Sequence, residues 1–413
     1  MKRKLMICLL SCIALLMFFG CESTTSSSQE DPNVYDGLNA QPDFKFNTTR
    51  NVTVTFVSID ENEEPISNAE FELYKDIACE KLIISGYTLE DGSFSTLKVL
   101  PTYQNNLYLK VGEKTTELSI IKNGTETGYV DYTFEVIASR DGRGGQTMSY
   151  TPDNRGWGTL AYEDLWNEVG DYDMNDLVVD YQMIEVIGYP GANLIGCKLL
   201  FKIRANGGIL DVGYGIKMPD YMTIDTGTLV ITDDPRGNLD NTTTYFEADG
   251  RTIHIFNSVQ ELMSPGGNEY INTKEALPYI ADYEFMLDFD CTGAMPANPE
   301  VWDLPPYNPF IWATTRDHEI HLPDYPPTVL MDISLFGEED DDSNPAIGRY
   351  WRTIGNLPWA FNIAEHTEYP EENAGMTLTF YHFVEWVNTS GISYPDWYKS
   401  LPGYRDEALI YVP

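Results

Sequence analysis

The chain has 413 residues, enough for two or three domains of ordinary size. Its 42% apolar content supports a sizeable core. With 64 acidic residues against 26 Lys and Arg, a formal charge of −38, it lacks the basic face that phosphate binding needs, so nucleic acid is excluded as a partner.

The first twenty residues read as a leader rather than as fold. Lys2, Arg3 and Lys4 form a basic start, and Leu5 to Phe19 is an apolar run of signal length. Gly20 then precedes Cys21, and a polar stretch, ESTTSSSQED, follows. This resembles a bacterial lipoprotein signal, with Phe18 where such signals usually carry Leu. The resemblance implies cleavage before Cys21 and a lipid on that cysteine, anchoring the protein to a membrane of the bacterial envelope, in first expectation the outer one. Cys8 and Cys12 leave with the leader, so Cys79, Cys197 and Cys291 remain. Three cysteines without a CxxC pair make no disulfide framework. A Cys197–Cys291 bridge and two buried free thiols both stay open. The Asn-X-Ser/Thr sequons from Asn47 to Asn388 carry no expectation in a bacterial protein.

Residues 21–45 are rich in Ser, Thr, Asp, Asn and Gln and read as a flexible tether. From 46 to 140, NVTVTF, EFELY, LYLKV and YTFEVI alternate apolar and polar residues, with turn signals at Pro65 and Asp91-Gly92. Short alternating runs at close spacing predict a β-sandwich. The strand, D-x-x-x-x-P-I, strand, T-x-x-D-G-x-F order (Thr88 to Phe94) resembles transthyretin-like, carboxypeptidase-regulatory-like modules. A Gly-rich joint, Arg140 to Gly145, precedes a second domain over 146–413. Its clearest strands are LLFKIRA, TLVITD, TIHIF and YEFMLDFD. NSVQELM predicts a short helix, and GMTLTFYHFVEWV reads as a strand or as a strand entering a helix. The fold class is therefore all-β: a small N-terminal sandwich, then a larger sandwich- or jelly-roll-like β-rich domain with few short helices.

The stretch GDYDMNDLVVDY (170–181) carries the chemistry. Asp171, Asp173 and Asn175 alternate, Asp176 follows, and Glu163 and Asp164 lie just upstream. Alternate oxygen ligands of a turn can converge on one point, and hard oxygens without sulfur or imidazole suit Ca²⁺. The loop is no EF-hand: Asp176 stands where the invariant Gly should be, and Gln182 stands where the bidentate Glu should be. An acidic surface loop with Asn and Asp in turn positions is the plainer reading. Crowded carboxylates beside the core strand Leu177–Val179 favour the cation.

The clause YEDLW…GDYDMNDLVVDY, with NPFIWATTRDHEIHLPDYPPT (308–328), LPWAFNIAEHTEYPEE (357–372) and FVEWVNTSGISYPDWY (383–398), resembles the LruC-domain family of bacterial envelope lipoproteins. The likeness covers about residues 147–413, with Met174 where Phe is common. It implies an all-β envelope domain and no established enzymatic activity. It also implies calcium at Glu163, Asp164, Asp171, Asp173, Asn175 and Asp176, because related modules carry similar elements.

Other motifs read more weakly. DHEIHL sets His318, Glu319 and His321 together, but a zincin needs the two histidines four apart on a helix. In a strand, His318 and His321 face opposite ways, while Glu319 and His321 share a face. Glu338 to Asp342 reads as a second cation site or a solvated loop. Trp351, Trp359, Trp386, Trp397, Tyr394 and Tyr398 read as a sugar-stacking platform or as core. The expectation is a non-catalytic, calcium-stabilised binding or adhesion protein with a glycan or protein ligand; the alternative is an accessory glycan-binding protein or a glycan-acting hydrolase.

Overall fold

Period-two alternation builds the first layer. In β1 (Thr49–Ile59), Val52, Val54 and Phe56 are fully buried and the residues between them are not. The sandwich continues through β2 (Glu70–Tyr74), β3 (Leu82–Tyr87), β4 (Ser93–Pro101), β5 (Asn106–Val111), β6 (Lys114–Ser119), β7 (Ile121–Asn123) and β8 (Thr127–Glu135). One sheet has the order β4-β1-β8-β7, with β1 and β8 parallel. It faces β3-β2-β5-β6 across a core in which Phe56, Phe71, Phe94 and Phe134 pack edge to face and stacked. The structure, a computed structural model, describes residues 37–136, 145–188, 193–264, 267 and 270–413. The leader, Cys21, the tether up to residue 36 and all but Gly145 of the Gly-rich joint lie outside them.

Strand β9 (Thr147–Thr151) pairs on one side with β3 of the sandwich and on the other with a long strand, β11 (Leu177–Gly188). The second sandwich sheet therefore runs without a break into the larger part of the chain. Lys98 of β4 reinforces the join from inside. It is 2% exposed, and its Nζ donates to Ser149 Oγ at 2.9 Å and to the Tyr150 carbonyl at 2.9 Å.

Beyond the join, β10 (Gly158–Tyr162) pairs with β11, and β12 (Asn193–Ala205) lies on the other side of β11. A second sheet forms from β13 (Val212–Lys217), β16 (Tyr245–Phe246), β17 (Thr252–Phe256), β19 (Asn308–Ala313) and β20 (Glu319–His321). Short β14 (Thr223–Ile224) and β15 (Val230–Thr232) edge the long β18 (Tyr283–Gly293), which pairs with β12. β21 (Ala360–Ile363) pairs with β10. The two sheets enclose Leu199, Phe201, Ile203, Tyr214, Ile253, Phe285 and Ile311. Strand makes up 40% of the chain and helix 8%, so the all-β class holds.

The helices are few, as expected. α1 (Val259–Met263) is capped by Ser258, whose side chain accepts from the Glu261 amide. The stretch GMTLTFYHFVEWV differs from its strand reading: it forms α2 (Met376–Thr379) and α3 (Phe383–Asn388). Its alternation is cut short because Phe380, Phe383, Trp386 and Val387 all turn into one aromatic core with Trp397 and Phe361. Phe44 and Phe46 join that core, and Arg352 Nη1 donates to the Phe44 carbonyl at 2.5 Å. Residues 37–45, read from sequence as tether, are thus a packed strap, and the tether does not include them.

Candidate metal centre

The acidic loop connects β10 to β11, so its two ends are fixed by adjacent strands. Within it, Tyr172 and Met174 take left-handed backbone, φ 58° and 57°. That conformation costs a non-glycine residue roughly 1–2 kcal/mol, offset here by burial of both side chains in the aromatic core. The alternation sends Tyr172 and Met174 into the core and turns Asp171, Asp173 and Asn175 the other way.

The result is a closed cluster. Ligand oxygens of Glu163, Asp171 and Asp173 lie within 4.8 Å of one another. Glu163 and Asp173 are each 1% exposed, Asp164 2% and Asn175 0%. Backbone amides fix one side of the group. Met174 N donates to Glu163 Oε1 (2.6 Å), Asn373 N to Asp173 Oδ2 (2.7 Å) and Asp164 N to Asp176 Oδ2 (2.8 Å). Four oxygens then remain buried without a hydrogen-bond partner: Glu163 Oε2, Asp164 Oδ2, Asn175 Oδ1 and Glu372 Oε2. Buried polar atoms are normally satisfied, so four such oxygens call for a partner that the surrounding protein groups do not supply.

Two glycines after β12 make room for these atoms. A Cβ on Gly207 would lie 1.6 Å from Asn175 Oδ1 and 2.8 Å from Glu372 Oε2. A Cβ on Gly208 would lie 1.9 Å from Asp164 Oδ2 and 3.2 Å from Asp176 Oδ1. The Gly207 amide donates to the Asn175 carbonyl at 2.8 Å, locking the two loops together.

The electrostatics are unfavourable on balance to the bare anions, although the Lys274 charge favours ionised Asp171 and Glu372. Burial, and then the charge of Asp171 or Asp164, holds Glu163, Asp173 and Asp176 well above the ordinary carboxylate range. Burial pushes Asp164 up to about 7 and, with the Asp171 charge, Glu372 up to about 7. Asp171 is itself raised by burial. None of the six forms an ion pair with a described Lys, Arg or His. The donor set is carboxylate and amide oxygen alone, which fits Ca²⁺ and does not fit softer metals. Glu163, Asp171 and Asp173 would hold it, with Asp164, Asn175, Asp176 and Glu372 around them.

Of the six residues singled out from sequence, Glu163, Asp171 and Asp173 bring ligand oxygens together, while Asn175 is hydrogen-bonded to Asp173 and Asp164 to Asp176 beside them. Glu372, Gly207 and Gly208 were missed. Their signals were present: an acidic pair closing the segment TEYPEE, and an Asn-Gly-Gly directly after a strand. Neither pattern points to a ligand until the chain is folded.

The other candidates resolve into packing. His321 uses both ring nitrogens inside the protein, Nδ1 with Asn308 Oδ1 (2.6 Å) and Nε2 with Glu319 Oε2 (2.9 Å), and stacks on Phe310 and Trp351. His318 packs on Trp166, away from them. The Glu319 carboxylate, fully buried, also accepts from Arg316 and the Thr328 amide. Despite its burial, the hydrogen bond and charge of His321 and the charge of Arg316 hold it down to about 2. Its stabilising contribution is complete above the unfolded value of 4.5 and is lost as pH falls through about 2. Glu319→Gln should cost about 3 kcal/mol at pH 7, by leaving buried partners unmatched. Urea unfolding should show the gap to the parent shrinking as pH falls below about 4.

In the Glu338–Asp342 run, Asp341 is buried and accepts from Gly337 N and Ser343 Oγ, so this is a structured turn. Trp351, Trp359, Trp386, Trp397 and Tyr398 are at most 2% exposed and belong to the core. Only Tyr394 of that set is part-exposed, stacked on His382. The sugar-platform reading of these aromatics fails on burial.

The profile of the family described as "Domain of unknown function (DUF4842)" matches residues 192–398, half of the chain. The chain belongs to the DUF4842 family. The match includes Gly207, Gly208 and Glu372 and begins after the acidic loop. Among solved structures, a "Putative lipoprotein from Bacteroides ovatus" superposes with a TM-score of 0.62 at 17% identity, covering 84% of this chain and 100% of that one. At that identity it shows a shared fold. The major pilin subunit of Bacillus cereus covers 66% of this chain at 10% identity with a TM-score of 0.18, too low to support any argument. No curated protein matches the chain. No helix among the described residues is long and apolar enough to cross a membrane.

Proposed function

We propose that this DUF4842 protein is a lipid-anchored component of the bacterial envelope, LruC-like over its larger domain, with a non-catalytic binding or adhesive role and a domain locked by Ca²⁺. Four buried, unpartnered oxygens, three of carboxylates and one of the Asn175 amide, carry the metal reading. Calcium there would tie the β10–β11 loop to the segment after β12 and to the C-terminal chain at Glu372. Three stretches far apart in sequence would thus depend on one ion.

Burial favours structure over catalysis. Glu163 and Asp173, each 1% exposed, do not meet a glycan, and of the three converging ligands only Asp171 is part-exposed. The envelope address rests on the Lys2–Cys21 leader and on the shared fold with the Bacteroides protein, itself described as a lipoprotein.

Thermal unfolding in EDTA, in Ca²⁺ and in Mg²⁺ tests the metal. Calcium at a hundred times its dissociation constant should add about 2.7 kcal/mol. Mg²⁺ should add less, because it demands a small octahedral shell that this spread of ligands does not form. Equal melting in all three would remove calcium from the reading.

A further inference from the structure

We propose that Cys197 and Cys291 form a disulfide that cross-links β12 to β18. Their sulfurs stand 3.5 Å apart, both 1–2% exposed, in the core between the two sheets. The register explains the approach. Cys197 lies opposite Phe289, and Cys291 is two residues on from Phe289, so both cysteines point to the same face. Between Leu194–Gly293 and Gly196–Asp290 the pairing slips, giving two residues on β18, Cys291 and Thr292, against Ile195 alone. Such a bulge bends its strand and re-aims a side chain, and here it brings Cys291 diagonally onto Cys197. Bond formation requires the two side chains to turn toward each other, from 3.5 Å to a bond of about 2.05 Å. Cys79, half-buried in the sandwich, has no sulfur near it among the described residues and stays a thiol.

The timing follows from burial. A thiolate is the attacking species in exchange, and these sulfurs are closed off once the sheets meet. One cysteine thiolate attacks the sulfur of a small disulfide or of an envelope dithiol oxidase, releasing one thiolate. The second cysteine thiolate then displaces the other, so two protein thiols are oxidised and the oxidant's disulfide is reduced to two thiols. This occurs while β12 and β18 are still accessible. The bond closes a loop spanning 94 positions, a long stretch to constrain in the unfolded chain.

The test is refolding of the full chain from reduced, denatured protein in glutathione/glutathione-disulfide buffer with Ca²⁺ present. Denaturing alkylation and mass spectrometry follow. The proposal expects a linked Cys197–Cys291 peptide, and a melting temperature lowered by roughly 5–10 °C on reduction. The Cys197→Ala and Cys291→Ala double variant should fold and show no response to reductant. Free Cys197 and Cys291 in a refolded, β-rich product would overturn the proposal. Because the refolding is done in a defined buffer, that failure is separate from any failure of the envelope address, which membrane fractionation reads.

Discussion

Asp171→Asn should stabilise the metal-free protein and abolish its response to calcium. Asp171 is only partly buried, and no other residue's amide or side chain is seen donating to its carboxylate. Its charge contributes to raising Glu163, Asp164, Asp173 and Glu372. The amide keeps the shape and removes that repulsion, so the variant in EDTA should melt above the parent in EDTA. In calcium the order should reverse, since one of three converging ligands has lost its charge. The increment of about 2.7 kcal/mol at a hundred-fold excess over the dissociation constant should largely vanish. Asp173→Asn should differ in the absence of metal, because Asp173 accepts from the Asn175 and Asn373 amides and an asparagine satisfies only one of them well. Paired melting curves of both variants, with and without calcium, separate repulsion from ligation.

Gly207→Ala should cost about 1–3 kcal/mol through overpacking and eliminate the calcium response as well. Its new methyl would stand 1.6 Å from Asn175 Oδ1, and that side chain has nowhere to withdraw. Asn175 is fully buried, and its Nδ2 donates to the Pro370 carbonyl at 3.1 Å. Relief must come from a shift of the Asn206–Gly208 backbone, which breaks the Gly207 amide bond to the Asn175 carbonyl. Ala at Gly348, a turn glycine with nothing within 4 Å of its Cβ position, is the control. It should pay only for its positive φ, and its calcium response should match the parent's. Chemical unfolding with and without the ion reads both effects.

Legibility differed between parts of the chain for physical reasons. The strands of the sandwich were readable because one face of each is buried, which writes period two into VTVTF and EFELY. The acidic loop was readable because its ligands are local: Asp171, Asp173, Asn175 and Asp176 fall within six positions. Glu372 and the Gly207–Gly208 pair were not, since they reach the cluster from about thirty to two hundred residues away through β12 and the C-terminal chain. The strap at residues 37–45 was hidden by composition. Its polar residues resemble a tether, while Leu38, Ala40 and Phe44, with the adjoining Phe46, pack it on the aromatic core beside Trp386, and Arg352 holds the Phe44 carbonyl. In GMTLTFYHFVEWV, aromatic packing overrode the alternation that suggested a strand.

Calcium content is the most direct measurement. The protein should be dialysed against buffer containing calcium, then against calcium-free buffer, and assayed by atomic emission beside an Asp171→Asn, Asp173→Asn variant. One or more calcium ions retained per parent chain, and none per variant chain, is the expected result. A parent chain as free of calcium as its variant would contradict a metal in this cluster and leave four buried and two part-buried carboxylates to be held by protonation and backbone amides.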